Sequence, residues 1–299
     1  RAAFLSKSDL ATGMVTEFTE LQGEMGKEYA LLDGEKPEVA QAIFEQYMPR
    51  FAGDILPQQE IGRALSLADK LDNLAATFLR GLIPTGSQDP FALRRQTIGA
   101  VNILIDGKIH WDIRRGIEAA LALLPGDEET KKTVLSQIED FFRQRIKAIM
   151  LDEGIAYDII DAVLAGPVDD IYALFLKARS MAESQLKGEA ELRQAVTRLA
   201  NITKGKAGGK VDPSLFTEDV EKKLQDAFEA VSAKALPLFA SYEYGKALPA
   251  LKDLTAPIND YLDNVMVMVD DEAVKNNRIS QLLATLALFN TWGDFSKLV

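Results

Sequence analysis

Helical periodicity runs through almost the whole chain of 299 residues, and it leaves few fold classes open. From Gln58 to Arg80, Ile61, Ala64, Leu65, Ala68, Leu71, Ala75, Phe78 and Leu79 form one broad apolar arc, and Gly81 follows as a C-terminal stop. Pro37 opens another helix, in which Val39, Ala40, Ile43, Phe44 and Tyr47 share a face, and Pro49 stops it. Asp89 is placed to cap a helix starting at Pro90, which carries Arg94 and Arg95 beside an apolar strip of Phe91, Ile98 and Val101. The same spacing predicts helices at about 90–105, 115–124, 128–152, 156–165, 169–186, 217–240, 243–264 and 271–290. No segment sustains period-two alternation. Val265–Val269 is β-prone, but it is short and flanked by helical patterns, so it reads as the apolar end of a helix and its connection. The fold class expected is all-α.

A chain of this length exceeds one ordinary core, so two or three domains are expected. Composition changes near Gly188, and Gly205 to Pro213 reads as a flexible, lysine-bearing loop. The main boundary therefore falls between Ser184 and Ala190, with a weaker junction near Pro125-Gly126 or Gly107. The organisation expected is residues 1–125, linking helices over 126–187, and a helical bundle over 188–299. No apolar run approaches the ~20 residues of a membrane span. The absence of cysteine removes disulfides, thiolate nucleophiles and Cys-ligated zinc, and it fits a reducing cytoplasm. A single histidine, His110, allows no imidazole pair, and a lone loop histidine reads as structural or idle. There is no Walker-type phosphate loop, no dinucleotide fingerprint and no nucleophile–histidine pair, so no catalytic residue is expected in this chain.

The net charge of −11 repels nucleic acid on average, so an RNA partner would need a local positive surface. One exists. Between Arg193 and Val211 there is no acidic residue, whereas Arg193, Arg198, Lys204, Lys206 and Lys210 all fall there. Arg193, Gln194, Thr197, Arg198 and Asn201 are spaced at three and four and share a helix face. Arginine and asparagine can read base edges, and lysines on a glycine loop can meet phosphates; the alternative is a solvated face with a mobile loop. Asn277 and Arg278, near the head of the last helix, either face RNA or tie helices together. The adjacent Arg94 and Arg95 suit an RNA-facing element or an ordinary solvated connector. Asp69 and Asp72 project toward the apolar arc of their helix and read as buried hydrogen-bond anchors, with Lys7 or Lys70 as partner.

The runs Leu82–Gly99 and Leu67–Asp72, the stretch from Leu5 to Gly26, Glu45-Gln-Tyr-Met-Pro49, and Asp263–Asp271 with Asn277-Arg278 resemble the beta subunit of bacterial two-subunit glycyl-tRNA synthetases. The resemblance spans nearly the whole chain and is most diffuse between about Lys108 and Ala190. Family members are longer at the N-terminus, and this chain starts at Arg1, so the resemblance implies a C-terminal portion of such a subunit. The N-terminal part resembles an HD domain, in which Asp69 matches the distant metal-binding aspartate. The histidine, the adjacent His-Asp pair and therefore the metal are not expected here. The C-terminal part, with Arg198-Leu-Ala-Asn-Ile202, resembles the DALR anticodon-binding domain. What these likenesses imply is binding and positioning of glycine tRNA for an alpha subunit, which would hold ATP and Mg and carry out aminoacylation. Two other classes stay open, an HD-type metal phosphohydrolase and a helical protein-binding scaffold.

Overall fold

The computed structural model describes residues 1–86, 88–184 and 186–299. Ser87, in the expected loop, and Gln185, in the expected boundary, lie outside the described residues. The chain is all-α. Its helices are α1 (Ala2–Leu5), α2 (Gly13–Glu17), α3 (Glu24–Leu32), α4 (Pro37–Glu45), α5 (Glu60–Leu79), α6 (Leu93–Asp106), α7 (Ile113–Ala122) and α8 (Glu128–Asp152). They continue as α9 (Tyr157–Val163), α10 (Ile171–Glu183), α11 (Ala190–Thr203), α12 (Asp219–Ala240), α13 (Leu248–Lys252), α14 (Thr255–Asn264) and α15 (Glu272–Asn290). Among the described residues the only extended pairings are isolated bridges, Thr85 with Gln88 and Asp112 with Asp170. No helix among them is long and apolar enough to cross a membrane.

The chain divides into two compact units: residues 1–149 with 168–172, and residues 150–167 with 173–299. Residues 126–187, read from sequence as linking helices, are shared between the two. In the first unit α5 is central, with α4, α6 and α7 packed on it. Val39, Ala40, Ala42 and Ile43 of α4 bury a small-residue core with Ala30, and Phe141 of α8 meets Phe78 edge-on at 5.2 Å. In the second unit α15 is buried on nearly every side, through Ile279, Leu282, Leu286, Leu288 and Phe289. Trp292 beyond it donates from Nε1 to the Lys177 carbonyl (3.1 Å) and to Ser180 Oγ (3.0 Å).

Three elements differ from the expectation, each for a local reason. The helix behind Asp89 begins at Leu93 rather than Pro90. Pro90 and Phe91 form a turn that ends at a left-handed Ala92 (φ 53°), and the Asp89 carboxylate reaches forward to the Leu93 and Arg94 amides at 2.8 and 2.9 Å. The helix expected at about 243–264 is broken into a 3-10 turn, α13 and α14, with Pro249 in the first turn of α13, where its missing N–H costs nothing. Val265–Val269 is wholly the connection, since α14 ends at Asn264: it is non-helical and bends at Val267 and Met268. Val265 and Val267 are buried, and Met266 and Met268 are exposed.

The second unit holds a buried ion pair. Glu221, fully buried, accepts from Arg278 Nε at 3.0 Å and from the Thr217 and Glu218 amides at 2.8 and 2.9 Å, which closes a capping box on α12. Arg278 also donates to Thr217 Oγ1 and to the Met266 carbonyl, and Gln281 donates to the Glu221 carbonyl. Burial pushes the Glu221 carboxyl up, but Arg278 and the two amides outweigh it and hold it below its usual range. Its folded pKa is depressed, so its contribution to stability is complete above the ordinary glutamate pKa and is lost as pH falls through the folded value. Glu221→Gln leaves a buried guanidinium without its carboxylate. It is expected to cost about 3–5 kcal/mol in urea unfolding at neutral pH and to flatten the acid limb of the stability profile.

Candidate nucleic-acid interface

The acid-free stretch folds as α11 and the loop that follows it. Leu192, Ala195, Val196, Leu199 and Thr203 face the core, while Gln194 and Asn201 are exposed. Gly205 takes the left-handed conformation (φ +70°) just past the helix end, the usual terminator, and Lys206 N bonds the Thr203 carbonyl at 3.0 Å. Lys204, Lys206 and Lys210 are all solvent-exposed on this loop. The two arginines of the helix are engaged with protein. Arg193 donates to the Leu298 and Lys187 carbonyls, so it fastens the chain end rather than lying free on the surface. Arg198 reaches Asn259 Oδ1 at 2.9 Å and Asp263 Oδ1 at 2.5 Å, which ties α11 to α14 while leaving the guanidinium partly exposed.

Asn277 and Arg278 take the second of the roles open to them: both are buried and both tie elements together. They are corrected here from candidate RNA contacts to positioning residues. Asn277 exchanges two hydrogen bonds with the Asp212 backbone (2.7 and 3.0 Å), and the neighbouring Ser280 Oγ accepts from Gly209 N at 2.8 Å. The lysine loop is therefore stitched onto α15 at two points. A Cβ at Gly208 would meet Leu283 Cδ1 at 2.9 Å, so the loop lies close against the helix there. Arg278 holds the Met266 carbonyl in the connection after α14, whose methionines are exposed. Met266 is 73% exposed, and Lys206 Nζ lies 3.8 Å from Met268 Sδ. Sequence reasoning missed this pair, although its signal, valines alternating with methionines, was present.

In the first unit Arg94 closes the glycine loop by donating to the Gly86 carbonyl at 2.7 Å. Arg95, on the exposed side of α6, makes no hydrogen bond or ion pair among the described residues. The carboxylates of α5 are not core anchors. Asp72 is exposed, and Asp69 is half-buried in an ion pair with Lys7 at 2.9 Å. The sequence-derived arc of α5 holds in its second half, where Leu71, Ala75 and Phe78 are buried, and departs in its first, where Gly62, Ser66, Leu67 and Lys70 point inward and Ile61, Ala64 and Ala68 are exposed. Lys70 is the buried ionisable group. Its Nζ donates to the Met48 carbonyl (2.7 Å) and Ser66 Oγ (2.6 Å), and burial pushes its pKa down to about 8. Asp9, also buried, accepts from Gly23 N at 2.7 Å and from Tyr47 OH at 2.9 Å. His110 pairs with Asp170 at 2.8 Å. Among the described residues no group of three or more His, Asp or Glu side chains gathers where a metal could be held.

Comparison with known proteins identifies two regions. A family model described as glycyl-tRNA synthetase beta subunit matches residues 1–165, and one described as DALR anticodon binding domain matches residues 192–293. The glycine–tRNA ligase beta subunit of Clostridioides difficile (strain 630) is 45% identical over 300 residues, covering 100% of this chain and 44% of that protein. The beta subunits of Desulforamulus reducens and Halothermothrix orenii are each 42% identical, over 100% and 94% of this chain and 44% and 41% of their own lengths. The chain thus spans less than half the length of the curated relatives it matches.

Two outcomes follow from the α5 geometry. Asp69→Ala breaks a partly exposed pair and is expected to cost less than about 1 kcal/mol in chemical denaturation. Lys70 has a folded pKa below its unfolded one, so between about pH 8 and the ordinary lysine value the unfolded chain binds more protons. Stability should therefore rise with pH across that window, and Lys70→Met should remove the rise. Unfolding midpoints of the parent and the variant at pH 7.5, 8.5 and 9.5, values chosen roughly to bracket it, check this.

Proposed function

The chain belongs to the glycyl-tRNA synthetase beta subunit family, and from that membership we propose that it binds glycine tRNA and positions it for aminoacylation by an alpha subunit. The observation that carries the proposal is the lysine loop: an acid-free segment of an acidic chain, inside the region matched to an anticodon-binding domain and stitched to α15 by Asn277 and Ser280. A loop anchored at two points presents its ammonium groups in fixed places, so less ordering entropy opposes binding. Lys204, Lys206 and Lys210 act as phosphate contacts. Asn201, exposed on α11, reads a base edge, and Arg198 does so from its tie to α14. Arg94 and Arg95 of the first unit supply a second basic contact with the same RNA. ATP, Mg and the adenylate chemistry belong to the alpha subunit in this reading, and the complex works in the cytoplasm.

Binding of glycine tRNA and of an anticodon-swapped tRNA to the chain, each over a salt series, tests the assignment. Lys206→Ala should weaken both RNAs alike and reduce the salt slope by roughly 0.7–0.9, with no change in melting temperature. Asn201→Ala should cost about 1–3 kcal/mol against the cognate RNA and much less against the other. Asn277→Ala should lower both the melting temperature and the affinity, because it frees the loop. Unchanged affinity and slope in both Lys206→Ala and Asn201→Ala would overturn the interface.

A further inference from the structure

The first unit contains a polar cleft of about 400 Å³ that the anticodon-side reading does not use. Four cations, Lys7, Arg50, Lys70 and Arg95, line it, and they come from four separate segments of the chain. Arg50 is neutralised by Asp54 through hydrogen bonds of 2.9 and 3.2 Å, and Lys7 by Asp69. Lys70 and Arg95 have no carboxylate partner among the described residues, and Glu20 is the one lining acid with no cation on it. The cleft is therefore net positive in a chain of net charge −11.

Its walls are not those of a plain anion hole. Phe91, 49% exposed, and Tyr47 line the same space, and Lys7 Nζ lies over the Tyr47 ring at 4.7 Å. Asn73 and Gln96 line it too: Asn73 Nδ2 donates to Gln96 Oε1 at 3.0 Å, and Gln96 Nε2 donates to the Phe91 carbonyl at 2.9 Å, which fixes both amides with one donor used from each. Fixed amides can pair with a base edge, an aromatic face can stack on a base, and unpaired cations can take a phosphate. The volume is at the small end of small-molecule sites, enough for one nucleotide and far too little for a duplex.

We propose that this cleft binds a single unpaired nucleotide, with its phosphate toward the exposed Arg95 and its base against Phe91 and the Asn73–Gln96 amide pair, while the buried Lys70 adds positive charge from behind its bonds to Met48 and Ser66. The ligand chemistry is that of a nucleoside monophosphate, supplied by a single-stranded RNA end or by a free nucleotide. The inference shares Arg95 with the second basic contact proposed above and otherwise rests on other residues, none of them in the lysine loop.

The test is calorimetric titration of the intact chain with AMP, adenosine, inorganic phosphate and a single-stranded RNA trinucleotide. AMP or the trinucleotide should bind, with adenosine and phosphate each weaker by about tenfold or more, the loss expected when one charge-assisted contact or one stacked base is removed. The tighter of AMP and trinucleotide names the source. Arg95→Gln should weaken that ligand about tenfold, and Phe91→Ala should weaken it severalfold; both side chains are exposed, so melting temperatures should hold. The proposal is overturned if neither ligand binds, if phosphate alone binds as tightly as both, or if both variants leave affinity unchanged. Nucleotide binding without tRNA binding would defeat the anticodon-side reading and leave this one standing.

Discussion

The buried pair of Glu221 and Arg278 is the interaction on which the second unit depends. One carboxylate caps the first turn of α12 and accepts the guanidinium of α15, and that guanidinium holds the carbonyl of Met266 in the connection after α14. Three elements distant in sequence are thereby fixed by a single desolvated charge pair. A buried pair of this kind adds little net stability over a well-packed apolar substitute, but removing one partner is costly. What it supplies is register. The connection after α14 is held by the bond to the Met266 carbonyl, with Val265 and Val267 buried and Met266 and Met268 exposed.

Asn277 and Ser280, on the same helix, extend that arrangement to the lysine loop. Asn277 and Arg278, which the sequence left open between facing RNA and tying helices, are spent on holding the lysine loop and the segment after α14. Lysines on a free glycine loop would lose conformational entropy on every binding event. On a loop stitched to a buried helix most of that ordering has been done at folding.

The first unit has its own polar spine. Ser66 and Lys70, one turn apart on α5, converge on the carbonyl of Met48, and the Asp9 carboxylate gathers the amide of Gly23 and the hydroxyl of Tyr47. These bonds satisfy backbone groups where the chain leaves α4 and enters α3. Lys7 pairs with Asp69 above them, so the carboxylate that the HD resemblance would give to a metal is occupied by an ammonium.

The sequence by itself determined the all-α class, most helix positions, the capping aspartate at residue 89 and the acid-free stretch, because these follow from spacing and residue type within one or two turns. It placed the buried face of the second half of α5, at Leu71, Ala75 and Phe78, but not that of the first half. There Ile61, Ala64 and Ala68 are apolar yet exposed, and the Met48 carbonyl, brought close by the tertiary structure, gives Ser66 and Lys70 a partner inside. The same holds for Asn277 and Arg278, whose partners lie about 60 residues away, at 65 and 57 positions of separation. Local pattern cannot distinguish a side chain that meets a distant carboxylate from one that meets solvent. That choice is made by which backbone and acid groups the tertiary structure brings within hydrogen-bonding distance, since a desolvated donor must find an acceptor or remain outside.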